Sequence, residues 1–176
     1  MTALAHNPST FNFASPISFR MEIKRSPDVS FEVTKSNVPG LVLPSVPLST
    51  PFTNVNLVGD KVEFEILQVT FLVDELLNNY FNIHDWIRAN GRADGYDEYK
   101  TEHDQVYNSG LQPTSELTVV FLNSARNPVV ALTYHNAHPI QLSGLNYDTT
   151  QDNVNYLSAT ANFQYTTYDR INAPNI

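Results

Sequence analysis

One stretch, residues 61–91, changes its hydrophobic period twice, and it constrains the fold more than any other part of the chain. Val62, Phe64 and Ile66 are apolar at every second position, which is typical of a half-buried strand. From residue 67 onward the alternation continues, but it is shifted by one position. Because such a shift moves each later side chain to the other face, it predicts a bulge or a sharp bend near Ile66.

The second half of this stretch has the spacing of an amphipathic helix. Asp74 is a favourable N-cap, and Glu75 would lie in the positively polarised first turn. Gly91 suits the left-handed position that ends a helix. This is the one helix that the sequence predicts clearly, so it would lie against a body of strands. Its apolar face is predicted to contain Leu76, Leu77, Tyr80, Ile83, Trp86 and Ile87.

Short alternating segments and turn formers dominate the rest of the chain. Residues 17–24 form the clearest strand, and residues 31–34 would return beside it as a hairpin. Residues 117–121 and 129–134 predict a second hairpin, and residues 156–168 predict one long strand. No repeat of about 20 to 50 residues is visible. The sequence therefore predicts a mainly β fold, an antiparallel two-sheet sandwich or barrel with one flanking α-helix.

A proline-rich segment, residues 36–60, separates the first strands from the organising stretch. Because proline removes ladder donors, this segment predicts an extended loop and not a central strand. Long loops in compact domains are usually functional or docked on a partner. Its apolar residues would be costly to leave in water, so they predict docking on this domain or on a neighbour. The candidate interface residues here are Leu41, Leu43 and Phe52.

Two polar segments complete the organisation. Residues 1–15 predict an N-terminal arm, which is either flexible or anchored on a neighbouring subunit by Phe11 and Phe13. Residues 92–115 are rich in charge and predict a surface insertion. We expect that both belong to one β domain, which spans residues 16–176.

Composition argues against several classes of function. The 176 residues include 10 Lys or Arg and 18 Asp or Glu, for a formal net charge of −8. This charge argues against a surface that grips nucleic acid, although an acidic wall would repel a phosphate backbone and let it slide. The chain contains no Cys, which excludes a disulfide framework. No apolar run reaches about 18 residues, so we expect no membrane span.

Candidate catalytic or metal-binding residues are few. His135 and His138 could share a metal on a helix, but the turn formers around them favour two loop histidines. The acidic cluster at residues 94–99 lacks the spacing of an EF-hand and predicts a solvated loop. His84 lies at the edge of the apolar helix face, where a packing role is expected. Without a nucleophile motif or a phosphate-binding loop, the sequence predicts no enzyme activity, no cofactor and no metal site.

A series of short motifs carries a resemblance over residues 16–91. In chain order these are Val38-Pro39-Gly40-Leu41, Pro51-Phe52, Gly59-Asp60-Lys61, the strand from Phe64 to Val73 closed by Asp74-Glu75, Asn79-Tyr80 and Asp85-Trp86-Ile87. Their order resembles that of the tail-tube family of contractile-tailed bacteriophages. This family includes tube initiators and tube terminators, and its fold recurs in secretion-system tubes.

The resemblance implies a structural virion protein that forms hexameric rings. Each subunit would contribute a four-stranded sheet to a continuous barrel, and the stacked rings would form the conduit for DNA ejection. The implied partners are further copies of the chain and the tail sheath, baseplate or neck proteins, while genomic DNA passes without specific binding. The implied location is the virion tail, after synthesis in the host cytoplasm. A non-repeating tube cap, either a tail terminator or a baseplate initiator, is the alternative role.

Two strands are candidates for the lumen side of such a ring, because both are long and alternate cleanly. We expect the first hairpin and the strand at residues 156–168 to face the lumen, with the helix on the outer side. The candidate lumen residues are Arg20, Glu22, Lys24, Thr160, Asn162 and Gln164.

Two other classes of function compete with the tube role. A β-sandwich binding module would stack its tyrosine-rich loops on sugars through Tyr96, Tyr99 and Tyr107. An enzyme would need a cleft assembled from His84, His135 or His138, which the sequence does not demand. Self-association without an added ligand distinguishes the tube component from the binding module.

Overall fold

Two antiparallel β-sheets that share one long strand form the body of the molecule. The computed structural model describes residues 18–30, 32–91, 100, 104, 113–148, 150 and 155–172. In chain order the elements are β1 (Phe19–Ile23), α1 (Pro27–Ser30), β2 (Val33–Ser36), β3 (Leu41–Val42), β4 (Ser45–Ser49), β5 (Asn54–Val58), β6 (Glu63–Phe64), β7 (Leu67–Leu72), α2 (Asn78–Asn90), β8 (Ser115–Leu122), β9 (Pro128–Leu142), β10 (Ser158–Gln164) and β11 (Thr167–Asn172).

The long strand β9 belongs to both sheets. Sheet A has the order β1-β8-β9-β11, and sheet B has the order β9-β10-β7-β2. Asn136, at φ 54°, lies between the residues of β9 that pair with β11 and those that pair with β10. The predicted mainly β, two-sheet antiparallel architecture with one flanking helix is therefore confirmed.

The inner faces of both sheets and one face of α2 enclose a single hydrophobic core. In β7, Leu67, Val69 and Phe71 are buried, while Gln68 between them is exposed. Full burial of each such side chain stabilises the fold by roughly 1.5–3 kcal/mol. The largest buried side chains from the other elements are Trp86, Tyr134, Phe163, Ile23, Ile83 and Leu117.

The predicted hairpin between the first strand and residues 31–34 is wrong. β1 pairs with β8 in sheet A, whereas β2 pairs with β7 in sheet B. The turn between them is the single helical turn α1, where the Val29 amide donates to the Ser26 carbonyl. Ser26 and Val29 are buried, so this connection crosses from one sheet to the other through the interior and cannot fold back as a hairpin.

The break predicted near Ile66 is confirmed. β6 ends at Phe64 and β7 begins at Leu67, and the register of the inward-facing residues shifts between them. The side chain of Asn37 compensates for the interrupted ladder, since it donates to the Ile66 carbonyl (3.1 Å) and accepts from the Gln68 amide (2.6 Å). The polar groups at the bend are thus satisfied inside the protein.

The helix α2 and its predicted end at Gly91 are confirmed, but its predicted start and the predicted conformation of Gly91 are wrong. It begins at Asn78, after Leu77 adopts a left-handed conformation at φ 60°, and Asp74 caps it from a distance. The carboxylate of Asp74 accepts from the Asn79 amide (3.3 Å), while the side chain of Asn79 accepts from the Asp74 amide (3.2 Å). Gly91 follows the last helical residue with an extended backbone at φ −104°, and not with a left-handed one.

Two further boundaries differ from prediction. Residues 139–145 suggest an irregular connector in the sequence, yet β9 continues through them to Leu142. The long strand predicted at residues 156–168 is divided into β10 and β11, because β10 pairs in sheet B and β11 pairs in sheet A. The predicted inner face of this segment is correct, since Ala159, Ala161, Phe163 and Tyr165 are buried.

Candidate assembly surfaces

Residues 45–58 form a two-stranded ribbon that we call the arm. Its strands β4 and β5 pair with each other and with no strand of the body among the described residues. The predicted extended loop at residues 36–60 is therefore wrong in its secondary structure. The sequence does contain a signal for this hairpin, namely the alternation Val46-x-Leu48 and Val55-x-Leu57 on either side of a turn. The prolines of the segment, which are typical of loops, obscure this signal.

The arm has one apolar face that the body does not cover. The register places Val46 opposite Leu57 and Leu48 opposite Val55, so these four side chains share one face. Between 43% and 57% of each side chain is exposed. The opposite face carries serine, proline and asparagine, with Val58 at its end, and residues 41–59 contain no charged residue at all. An isolated hairpin is marginal in water, so this face requires a partner surface.

The base of the arm is fixed to the body. The Gly59 amide donates to the Pro44 carbonyl (3.0 Å), and a Cβ at Gly59 would lie 2.1 Å from that oxygen, so a side chain is excluded there. Gly40 and Glu65 exchange two hydrogen bonds, one to the carboxylate and one between backbones (both 3.1 Å). The ring of Phe64 then packs edge-on against aromatic residues of the core.

The predicted interface residues of this region are all exposed. Leu41 (56% exposed) and Leu43 (52%) lie at the base of the arm, and Phe52 (99%) lies in the turn at its tip. These three residues therefore lie at the two ends of the arm, its base and its tip. Phe11 and Phe13, the other two candidates, lie outside the described residues, as does nearly all of the predicted polar insertion.

The outer face of sheet B is polar and almost without charge. Thr70 and Thr160 hydrogen-bond through their hydroxyls (3.1 Å), and the Asn162 amide donates to the side chain of Gln141 (2.9 Å). Lys35 on the edge strand β2 is in register with Thr70 and brings one positive charge to the rim. The remaining outward residues in register on β7, β9 and β10 are Gln68, Leu72, His138, Ser158 and Gln164.

The outer face of sheet A is charged instead. Arg20 lies 3.3 Å from Glu22 on β1, and Lys24 lies 3.5 Å from Glu116 on β8. His135 on β9 lies 3.0 Å from Asp169 on β11 and 3.7 Å from Glu116. This row of alternating charges crosses all four strands.

The candidate lumen residues are consequently split between two surfaces. Arg20, Glu22 and Lys24 belong to the charged face of sheet A, whereas Thr160, Asn162 and Gln164 belong to the uncharged face of sheet B. The sequence could not separate them, because strand alternation reveals which residues face outward but not which sheet they join.

The histidines do not converge on one centre. His84 contacts Asp85 (3.1 Å) and the edge of the Phe81 ring on α2, while His135 and His138 lie in β9, outside the core. Among the described residues no three His, Asp or Glu side chains are placed to hold a metal ion. The acidic cluster at residues 94–99 lies outside them.

Two buried phenols lie in the core next to Phe64. The rings of Tyr134 and Tyr165 are 4.8 Å apart, and neither hydroxyl has a hydrogen-bond partner among the described residues. Burial raises the pKa of Tyr165 to about 12, with smaller contributions from Tyr168 and Glu65. Burial likewise raises the pKa of Tyr134. Both phenols therefore remain neutral at physiological pH.

Comparison with known proteins identifies the fold. No family model matches the chain, and no curated protein matches it in sequence. Among solved structures, the anti-feeding prophage tube terminating cap superposes with a TM-score of 0.66 at 12% identity, over 98% of this chain and 100% of that one. A chain of the extended sheath-tube complex of the extracellular contractile injection system PVC gives 0.63 at 10% identity, over 92% and 93%.

A third similar structure is that of an Hcp1 protein. Hcp1 of the E. coli pathovar EAEC 042 gives a TM-score of 0.53 at 8% identity, over 90% of this chain and 94% of that one. The chain therefore has the fold shared by contractile injection system tubes, their terminating caps and Hcp. The predicted resemblance to contractile tail tubes is confirmed at the level of the fold. Within the described residues, no helix is both long enough and apolar enough to cross a membrane.

Proposed function

We propose that this chain is a structural component of a contractile tail or injection tube, in which six copies form a ring. The observation that carries the proposal is the arm, since a body with a tube fold presents an uncharged ribbon whose apolar face is about half exposed and whose strands pair with no other described strand. A neighbouring copy is the partner that is always present during self-assembly, and head-to-tail contacts between identical subunits close into rings.

The arm and its base form the interface of this assembly. Leu41, Leu43 and Phe52 would become buried against neighbouring copies, which removes apolar surface from water at about 25 cal/mol per Å². Phe11 and Phe13 would anchor the N-terminal segment on the same neighbours. The outer partners would be sheath, baseplate or neck proteins of a virion or of a similar tail-like particle.

The uncharged face of sheet B is our candidate for the lumen, with Thr160, Asn162 and Gln164 in its lining. A lining of hydroxyls and amides neither attracts a phosphate backbone nor repels it strongly, so a passing polymer such as ejected DNA would not be held. Arg20, Glu22 and Lys24 on sheet A would then lie away from the lumen. This assignment replaces the expectation of a single lumen surface made from both sets.

A second role within the same architecture is a non-repeating cap at one end of the tube. It is favoured by the match of 98% of this chain to the whole chain of the anti-feeding prophage tube terminating cap. We propose no catalytic activity for either role, because the three candidate histidines lie in separate places in the structure. The sugar-binding alternative depends on Tyr96, Tyr99 and Tyr107, which lie outside the described residues.

Negative-stain electron microscopy of the purified protein at rising concentration tests the proposal. Hollow tubes of constant width would support a repeating subunit, and isolated six-fold rings would support a cap. A protein that stays monomeric at every concentration would contradict self-assembly.

Thiol accessibility in those particles tests the lumen assignment. The chain has no native cysteine, so Asn162→Cys and Asp85→Cys each introduce one reactive group. In assembled tubes, a bulky maleimide should react with the α2 position at an unchanged rate and with the sheet B position far more slowly than in the monomer. Equal reaction of both positions before and after assembly would overturn the assignment.

A further inference from the structure

The strand β1 has an open edge beside a groove. In sheet A it pairs with β8 on one side, and no described strand lies on its other side. A groove of about 780 Å³ runs along the full length of β1 and reaches Pro27 and Val33 across the gap to the other sheet. An edge of this kind is a template for an additional strand.

The hydrogen-bond pattern shows which groups face the groove. The Lys24 amide donates to the Glu116 carbonyl (3.2 Å), and the Leu122 amide donates to the Ser18 carbonyl (2.9 Å). Because antiparallel pairing alternates, the backbone groups of Phe19 and Met21 point away from β8. A strand placed along this edge could therefore form backbone hydrogen bonds with β1 at every second residue, as in a regular sheet.

The rim of the groove suits an uncharged occupant. Its charged side chains neutralise one another in the ion pairs Arg20–Glu22 and Lys24–Glu116. On the inner side, the exposed Pro27 and the half-buried Val33 give the groove an apolar wall next to the buried Met21 and Ile23. The best occupant is therefore a strand with one apolar face, one polar face and no charge.

The arm has these properties on one of its two edges. The bonds Gly59–Pro44 and Thr50–Thr53 set the alternation, so Ser45, Pro47 and Ser49 direct their backbone outward on β4, and Asn54, Asn56 and Val58 do so on β5. Pro47 has no backbone N–H group, so the β4 edge is blunted: it lacks a donor at its centre and is a poorer template for a further strand. The β5 edge keeps its full set of donors and acceptors.

We propose that β5 of one copy adds as a strand to the open edge of β1 in a neighbouring copy. Both strands are five residues long. The pairing is parallel, so each outward residue of β5 bonds to the two outward residues that flank its partner on β1. The pleat then aligns Val55 and Leu57 with the buried Met21, and aligns Asn56 with the exposed Arg20 or Glu22. The apolar face of the arm thereby covers Pro27 and Val33 beside the neighbour's core. This inference rests on the proposed self-assembly and assigns the arm its acceptor.

Cysteine cross-linking between two populations of full-length protein tests the pairing. One population carries Asn56→Cys, and the other carries Arg20→Cys or Glu22→Cys, so a cross-link can form only between copies. Oxidation of the mixed assembly should yield a disulfide dimer with at least one of the two β1 positions, at ten times the yield obtained with Asp85→Cys. A cross-link from Phe13→Cys in place of Asn56→Cys would overturn the proposal, because the N-terminal segment would then occupy the groove.

The two failures are distinguishable. Particles that assemble normally but give no cross-link from Asn56→Cys would overturn the β5–β1 pairing and leave the tube function standing. Failure of the wild-type chain to assemble would overturn both.

Proline substitution gives a second, matched test. Asn56→Pro removes the central outward donor of β5, just as Pro47 does on β4, and should weaken association about tenfold or more, since one lost hydrogen bond and its local distortion correspond to about 1.4 kcal/mol. Ser49→Pro places the same change on the blunted edge and should leave association within about twofold. Equal effects of the two substitutions would contradict the pairing.

Discussion

The body and the arm of this protein differ in how far their apolar side chains are buried. In the body, the inward-facing large side chains of both sheets and α2 are almost completely inaccessible, as Trp86 (1% exposed) shows. In the arm, each large side chain is about half exposed or more. The body therefore derives its stability from within one chain, whereas under the proposed function the arm is stabilised by a neighbouring copy. Intramolecular and intermolecular stability should respond to different substitutions.

The largest effect on the isolated chain is expected at Trp86. Its indole packs 6.0 Å from the ring of Phe163, and Arg25 lies 5.0 Å above it. Its N–H donates to the Pro113 carbonyl (2.8 Å). Trp86→Ala should lower the free energy of unfolding by about 3–5 kcal/mol, measured by chemical denaturation.

A neighbouring residue of α2 supplies the control for this prediction. Phe81 lies on the same helix but is 47% exposed, so Phe81→Ala should cost less than about 1 kcal/mol. A comparable loss at both positions would mean that α2 does not pack as an amphipathic helix against the core.

A substitution in the arm should separate assembly from folding. Leu48→Ser removes one side chain from the apolar face, so it should change the free energy of unfolding of the monomer by less than about 0.5 kcal/mol. Association should weaken about tenfold to a hundredfold, because an aliphatic side chain that becomes buried in an interface contributes roughly 1.5–3 kcal/mol.

Asn54→Ser, on the polar face of the same ribbon, is the matched control and should leave association within about twofold. Sedimentation velocity over a concentration series measures association, and denaturation of the dilute protein measures folding. If Leu48→Ser destabilised the monomer as much as it weakened association, the arm would be packed on its own body.

The strands of the body could be predicted from the sequence, whereas those of the arm could not. Strict alternation in residues 67–73 and 159–165 identified buried faces correctly, because those strands have one dry and one wet side. The arm alternates in the same way, but its prolines suggested a loop. Pro47 is compatible with a strand here because its missing donor faces away from β5.

Strand partners were the least predictable feature. The hairpin expected from residues 17–34 does not exist, since a short connection can lead to another sheet as well as to an adjacent strand. For the same reason the candidate lumen residues fell on two surfaces. Alternation is a local property, whereas sheet membership depends on contacts between β1 and β8 or β2 and β7, which are distant in sequence.

The junction of arm and body offers the most subtle test. Phe64, in β6 at the base of the arm, packs edge-on against Tyr165 and Tyr168, at ring distances of 5.7 and 5.8 Å. Tyr165 has a buried hydroxyl without a described partner. Tyr165→Phe removes this group while keeping the ring, so at pH 8 it should stabilise the chain by up to about 1 kcal/mol.

The pH dependence sharpens this prediction. Burial raises the pKa of Tyr165 from 10.0 to about 12, so between pH 10 and pH 12 the unfolded chain loses the phenolic proton while the folded chain retains it. Stability that is fully present below pH 10 is therefore lost as pH rises, by at most about 1.4 kcal/mol per pH unit for this group. Tyr165→Phe should flatten the decline in denaturation curves taken between pH 9 and pH 11.5. Tyr156→Phe, at a position 82% exposed, should leave the decline unchanged, and a decline unaltered by Tyr165→Phe would show that the base of the arm is open to water.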